Sequence, residues 1–244
     1  MTEFQDATRD AAAAITIHKI AVERTARYAT AGAEPADTTT LWVVFHGYGQ
    51  LASEFLTTFA RQVPKATRVI APEGLSRFYL ELPRADGKHL ARTGATWLTR
   101  DDREDDLRDA LGMLHAVVGQ EVDAILEARG DVPAIKVLGF SQGVAMSMRW
   151  VADVADRGVP EEGADVATHV LWAGGLAHDV SDDAMKAAWN GTVVQVVVGD
   201  KDKFATDSFR RTLRKRIDAM GIAVEEFTFG GGHRLDDDVL RKLL

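Results

Sequence analysis

The 244-residue chain reads as an α/β protein, a mostly parallel central sheet with helices on both faces, and three observations carry that reading. Short β-branched and aliphatic runs alternate with longer segments of helical period. Those longer segments carry apolar stripes at steps of three and four, which have to be buried against a sheet. Finally, the run Ala134-Ile135-Lys136-Val137-Leu138 passes through Gly139-Phe140-Ser141-Gln142-Gly143 directly into a proline-free stretch, an abrupt strand-to-helix turn.

Taken in order, residues 1–14 (MTEFQDATRDAAAA) form an acidic lead-in, mobile or marginally helical, ahead of a single domain expected over 15–244. Residues 15–30 alternate apolar and polar as a half-buried antiparallel strand does, and the polar tract AGAEPADTTT turns the chain out of it. Strand-like runs follow at 41–47, 67–74, 134–140, 168–175, 192–200 and 223–233. Between them, Leu107, Leu111, Leu114, Val118, Val122 and Ile125 recur on one helical face. Residues 142–157 mix Ala, Met and Val with Arg and Asp and read as a helix. Phe209, Leu213 and Ile217 predict another, and Val239, Leu240 and Leu243 a last one. Strands alternating with helices imply parallel crossovers and a sheet covered on both sides.

Composition excludes several functions. A formal charge of −8 and a pI near 5.4, with no Lys/Arg cluster, argue against a nucleic-acid partner; Arg214-Lys215-Arg216 reads as one solvated helix face. Without cysteine there is no disulfide, thiolate nucleophile or Cys-bound metal, so a nucleophile has to be an oxygen. The N-terminus lacks the basic and apolar regions of a signal peptide, and no run approaches a membrane span. A cytoplasmic protein without stable membrane association is expected; a homodimer stays open.

The Gly-x-Ser-x-Gly string is the likeness of a nucleophile elbow, in which the serine sits on a strained turn and glycines flank it because a Cβ would strike neighbouring backbone. A serine hydroxyl attacks only if a base takes its proton, and the base needs an acid to orient it. Ser141 is the candidate nucleophile. On this architecture the acid and then the histidine follow at the ends of later strands. Gly199-Asp200-Lys201-Asp202 offers two acids: Asp202, further into the loop, is favoured, with Asp200 left to brace or cap the turn. His233, after Gly230-Gly231-Gly232, is the candidate base, whereas His18, His89, His115, His169 and His178 are read as surface or hydrogen-bonded residues.

An oxyanion forming at the substrate carbonyl needs donors. The backbone N–H of Gln142, at a helix start, is one candidate; the N–H of Tyr48, in His46-Gly47-Tyr48-Gly49 after the first parallel strand, is the other. His46 is expected to brace its loop. No His pair stands at ligand spacing, so no metal site is expected.

The four strings HGYG at 46–49, GFSQG at 139–143, GDKD at 199–202 and GGGH at 230–233, spread over residues 40–240, resemble the phospholipase/carboxylesterase family of α/β-hydrolases, which includes acyl-protein thioesterases. The resemblance implies an α/β-hydrolase fold, a Ser141, Asp202, His233 triad, an oxyanion hole from the Tyr48 and Gln142 amides, and ester or thioester hydrolysis without a cofactor. Three departures from the family pattern stand out: Val144 after Gly143, Gln50 after HGYG, and Ala205-Thr206 beyond the acid. These bear on loop shape and substrate more than on chemistry.

Residues 74–100 are long, aromatic and poor in periodicity, and leave a strand at the face where the site is expected. Phe78, Tyr79, Trp97 and Leu98 are candidates to line an acyl or aromatic cleft, and the family resemblance also places a tryptophan like Trp97 near its site. The competing reading is that they pin the loop to the core. Arg77, Arg84 and Arg92 are candidates to bind an anionic group, against the reading that isolated arginines on a loop are usually solvated. The expected partner is a small-molecule ester, cleaved by a serine carboxylesterase acting on small or medium acyl groups. A thioesterase, a lysophospholipase and a non-catalytic ligand-binding hydrolase fold are the alternatives.

Overall fold

A computed structural model describes residues 15–83, 89–157 and 165–244; the lead-in expected over 1–14, and Arg84, lie outside these residues. Among the described residues nine strands and six α-helices follow in the order β1 (Tyr28–Gly32), β2 (Thr40–Phe45), α1 (Ala52–Ala60), β3 (Thr67–Pro72), β4 (Ser76–Pro83), β5 (His89–Thr96), α2 (Arg103–Arg129), β6 (Ala134–Phe140), α3 (Gln142–Arg157), β7 (Val166–Trp172), α4 (Asp182–Ala188), β8 (Val193–Gly199), α5 (Asp207–Met220), β9 (Val224–Phe229) and α6 (Asp237–Leu243). Seven strands form one sheet in the order β1-β3-β2-β6-β7-β8-β9. Only β1 is antiparallel to its neighbour.

The two faces of the sheet are separated by strand alternation. Along β2, Leu41, Val43 and Phe45 enter a core with α2, α3, α4 and α5, while Trp42 and Val44 enter another with α1 and α6. A strand buried on both sides needs a continuous apolar run, which is why LWVVF reads without polar interruption. This is the α/β-hydrolase arrangement expected.

The six strand-like runs fall on β2, β3, β6, β7, β8 and β9, and the apolar stripes fall on α2, α3, α5 and α6. Residues 15–27, expected to be a half-buried strand, carry no regular structure, and the strand begins only at Tyr28. Their alternation has no face to bury against: Ile15, Ile17, Ile20 and Val22 stay exposed. A second difference is the β4–β5 hairpin within 74–100. Its pairing is secured from outside, where Gly49 N–H donates to Ala95 O (2.8 Å) and an isolated bridge joins Gln50 to Ala95. The hairpin therefore holds the loop after β2, at the C-terminal edge of the sheet where the functional residues gather.

Candidate active site

Ser141 occupies the one-residue turn between β6 and α3 with φ +54, the left-handed region that L-residues avoid. The turn is held by Ser141 N–H donating to Trp172 O (2.9 Å) and by Val144 N–H donating to Ser141 O (3.1 Å). The flanking glycines have the reason expected of them. A Cβ on Gly139 would lie 2.6 Å from Gly143 O and from Ser147 Oγ, and one on Gly143 would overlap Phe45 O and come within 2.8 Å of His46 O.

His233 and Asp202 arrive from two loops that are tied together. Asp200 N–H donates to Phe229 O (3.0 Å) and Lys201 N–H to Gly231 O (2.8 Å), and Gly199 has no room for a Cβ against Gly231 O. Exposed Asp200 accepts from Gly231 N–H (2.8 Å), the bracing part foreseen for it. Asp202 turns inward instead, its side chain fully buried. One carboxylate oxygen accepts from the N–H groups of Phe204 (2.8 Å) and Ala205 (3.3 Å), and the other stands 2.8 Å from His233 Nδ1.

With that carboxylate accepting the Nδ1 proton, Nε2 of His233 presents a lone pair to Ser141 Oγ, 2.9 Å away. The imidazole sits between Phe140 (4.9 Å between centroids) and Phe204 (4.8 Å, edge-on), with 22% of its side chain exposed. This chain of contacts can move a proton from the hydroxyl to the ring and hold the resulting charge against a buried carboxylate.

Two backbone donors are the candidates for the oxyanion. Among the described residues, neither Tyr48 N–H nor Gln142 N–H meets a protein acceptor. Gln142 is fixed by its side chain, which bonds Thr96 Oγ1 (2.8 Å) and Leu98 O (3.3 Å). The Tyr48 loop is shaped by Gln50, whose Oε1 accepts from Gly47 N–H (2.8 Å). Arg92 reaches Gly49 O (2.7 Å), so it pins the loop rather than standing free.

His46 braces this loop from beneath. Gly74 N–H donates to its Nε2 (3.0 Å), so Nδ1–H donates to Gly47 O (2.8 Å); burial pushes its pKa down and keeps the ring neutral. Trp97 stacks on it at 4.7 Å and donates its indole N–H to His46 O (2.8 Å).

A model of the family described as "Serine hydrolase (FSH1)" matches residues 40–236, four-fifths of the chain and all four strings. The chain belongs to the FSH1 serine hydrolase family. No curated protein matches this serine hydrolase. Among solved structures it is similar to a phospholipase/carboxylesterase from Dyadobacter fermentans (17% identity, TM-score 0.60, covering 91% of this chain and 96% of that one). Esterase PE8 (19%, TM-score 0.58, 90% and 96%) and acyl-protein thioesterase 2 from Zea mays (14%, TM-score 0.59, 90% and 98%) are also similar. At these identities the likeness speaks to the fold.

The departures from the resembled pattern have local explanations in this hydrolase. Val144 fills the space against Gly174, where a Cβ would strike it at 2.5 Å. Gln50 shapes the Tyr48 loop, Ala205 N–H holds Asp202, and Thr206 caps α5 by accepting from Phe209 N–H (3.3 Å).

The four residues expected to line a substrate cleft separate. Phe78 packs on Tyr48 at 5.1 Å, beside the site. Tyr79, next along β4, points to the opposite face and is 79% exposed, so it does not join Phe78. Trp97 is buried in the core, supporting His46, and only borders a cleft of about 310 Å³ together with Leu98 and Gln142. A smaller cleft of about 240 Å³ is lined in part by Gln50, Phe140 and His233.

The hydrolase contains another Ser–His contact, between Ser147 Oγ and His169 Nε2 (2.9 Å). It is structural. An indole only donates, so Trp189 Nε1–H bonding His169 Nδ1 (3.0 Å) leaves the ring proton on Nε2, and Ser147 in turn donates to Val144 O (2.9 Å). Both residues are fully buried, and burial lowers the His169 pKa to about 3.

Phe204, 74% exposed against the His233 ring, and the Gln142 tether were not found by sequence reasoning. The GDKD loop was the only signal for Phe204, two residues beyond Asp202. Among the described residues no helix is long and apolar enough to cross a membrane.

Proposed function

We propose that this serine hydrolase is a carboxylesterase that cleaves esters of small or medium acyl groups through an acyl-enzyme. Ser141 Oγ attacks the ester carbonyl carbon while its proton passes to His233 Nε2, and Asp202 holds the ring and the charge it acquires. The carbonyl oxygen, now an oxyanion, takes hydrogen bonds from the Tyr48 and Gln142 N–H groups, the second at the positive end of the 16-residue helix α3. Collapse breaks the bond to the alkoxide, which leaves with the His233 proton. Water then gives a proton to Nε2 and attacks the acyl carbon; the acid departs as Ser141 recovers the proton.

The observation that carries this reading is the unbroken contact chain Ser141 Oγ, His233, Asp202, closed at 2.9 and 2.8 Å and open to solvent at the serine end. Clefts of about 310 and 240 Å³ support small or medium substrates, since the first stands at the low end of ligand-site volumes and the second below it.

Turnover of p-nitrophenyl acetate and butyrate by wild type and Ser141→Ala tests the proposal. Hydrolysis that falls by three orders of magnitude or more in the variant supports it. A folded wild type without turnover of either ester points to a ligand-binding protein instead.

A further inference from the structure

The cleft that borders Gln142 is cationic in an acidic protein. Its wall carries Arg100, Arg103 and Arg149, with His178 at the rim, whereas the whole chain has a net charge of −8. One carboxylate, Asp179, engages two of these guanidinium groups. It takes a fork from Arg149 (2.7 and 3.0 Å) and a single contact from Arg103 (2.9 Å). Burial opposes its ionisation, but the two arginines outweigh that and hold its carboxyl well below the usual range. Arg149, 6% exposed, is fully engaged by Asp179 and by Ala145 O (3.0 Å). Arg103 offers further donors. Arg100, exposed, has no hydrogen-bond or ion-pair partner among the described residues.

Asp101 and Glu104, next to Arg100 and Arg103 in the chain, have no side-chain partner among the described residues but do not line the cleft, and three further acids are committed elsewhere. Asp102 and Asp105 hold Lys19 (2.6 and 2.5 Å), and Asp106 accepts from Thr99 N–H (3.0 Å) and its hydroxyl (3.1 Å). The cleft wall thus keeps an excess of positive charge beside the proposed oxyanion donor.

Position along α3 gives a distance. Gln142, Ala145 and Arg149 line the same cleft, and the Arg149 guanidinium folds back to the level of Ala145. Ala145 is three residues beyond Gln142, about 4.5 Å along the axis at about 1.5 Å per residue. Arg103 meets Asp179 beside Arg149 (2.9 Å), so an anionic group on Arg103 would stand a few bonds from the reacting carbonyl.

We infer that the substrate of this hydrolase is an ester bearing a carboxylate a few bonds from the scissile carbonyl, bound through Arg100 and Arg103. The inference rests on the proposed esterase reading. A carboxylate would replace water around one exposed and one partly buried guanidinium group and gain charge-assisted hydrogen bonds, which a neutral acyl chain of the same length cannot.

The test compares kcat/KM for the mono-p-nitrophenyl ester of glutaric acid with that for p-nitrophenyl valerate, in wild type, Arg100→Ala, Arg100→Lys and Arg108→Ala, the last a control outside the cleft. A second pair, with the carboxylate moved to the leaving group, separates acyl-side from alcohol-side recognition. Wild type should prefer one charged ester by about ten-fold at low salt, as a hydrogen bond to a charged group implies. That ratio should collapse toward one in Arg100→Ala and be partly kept in Arg100→Lys. It should shrink with salt and be unchanged in Arg108→Ala.

Turnover of the valerate ester with no preference for either charged ester overturns the inference and leaves the esterase reading standing. A preference that survives Arg100→Ala overturns the assignment to this cleft. Absence of turnover of every ester overturns the esterase reading and this inference with it.

Discussion

Replacing Asp202 by Asn removes one charge and keeps the shape, and the structure dictates which way the new amide must face. One oxygen of Asp202 accepts two backbone N–H groups, from Phe204 and Ala205, so the amide oxygen has to occupy that place. The amide NH2 then faces His233 Nδ1, where the carboxylate oxygen stood at 2.8 Å. Two donors cannot face each other, so the ring shifts its proton to Nε2 and presents N–H, not a lone pair, to Ser141 Oγ. The base is lost without loss of geometry. The expected fall in kcat is on the order of 10⁴, the effect of the same change in a serine protease triad. Asp200→Asn is the matched control: Asp200 is exposed and accepts one N–H, from Gly231, which an Asn oxygen also accepts. Its kcat should stay within about three-fold of wild type, as an exposed isosteric change does. Steady-state hydrolysis of p-nitrophenyl butyrate, with circular dichroism to verify folding, reads both. A folded Asp202→Asn enzyme within ten-fold of wild type, or an Asp200→Asn enzyme that loses activity, would refute the assignment.

Two further outcomes follow from buried groups. His169 has a folded pKa of about 3 against an ordinary 6.5, so the unfolded chain binds the extra proton between those values; the stability it gives is present above pH 6.5 and is lost as pH falls toward 3. Between pH 7 and pH 5 this amounts to about 2 kcal/mol, at roughly 1.4 kcal/mol per unit. Urea unfolding at both pH values should show that loss in wild type and a smaller one in His169→Gln, since Gln preserves the contacts to Trp189 and Ser147 without titrating; equal losses would contradict it. His46, also buried and lowered, adds in the same direction to both proteins. Gly143→Ala should cost about 2–4 kcal/mol, because the new methyl group meets the backbone carbonyls of Phe45 and His46. Esterase activity should fall with it as Gln142 is displaced; unchanged unfolding midpoints would show that the elbow has slack.

Legibility in the sequence followed the range of the forces. The elbow could be read because its steric demand falls on adjacent residues, and the buried strands because each must be apolar over its own length, as in VVQVVVG of β8. Residues 15–27 misled because alternation reports that a face can be buried, not that one is available. The β4–β5 hairpin was hidden for the opposite reason. Its strands carry Arg92, Thr93 and Gly94 where a readable strand would alternate, and its register depends on Gly49 and Gln50 from another segment. Asp202 and His233 were visible as loop residues, yet their meeting depends on the Asp200–Gly231 bond between two loops, which no local pattern reports. The arginine cleft draws on residues 100, 103 and 149, so it exists only once α2 and α3 are packed.

Among the described residues two serines touch a histidine, and the account assigns chemistry to one of them. Labelling with a fluorophosphonate, followed by intact mass and peptide mapping, asks the protein directly. One adduct per chain is expected, on Ser141, absent from Ser141→Ala and retained in Ser147→Ala. An adduct on Ser147, undiminished labelling of Ser141→Ala, or no labelling of folded wild type would contradict the central claim that Ser141, His233 and Asp202 form the catalytic unit.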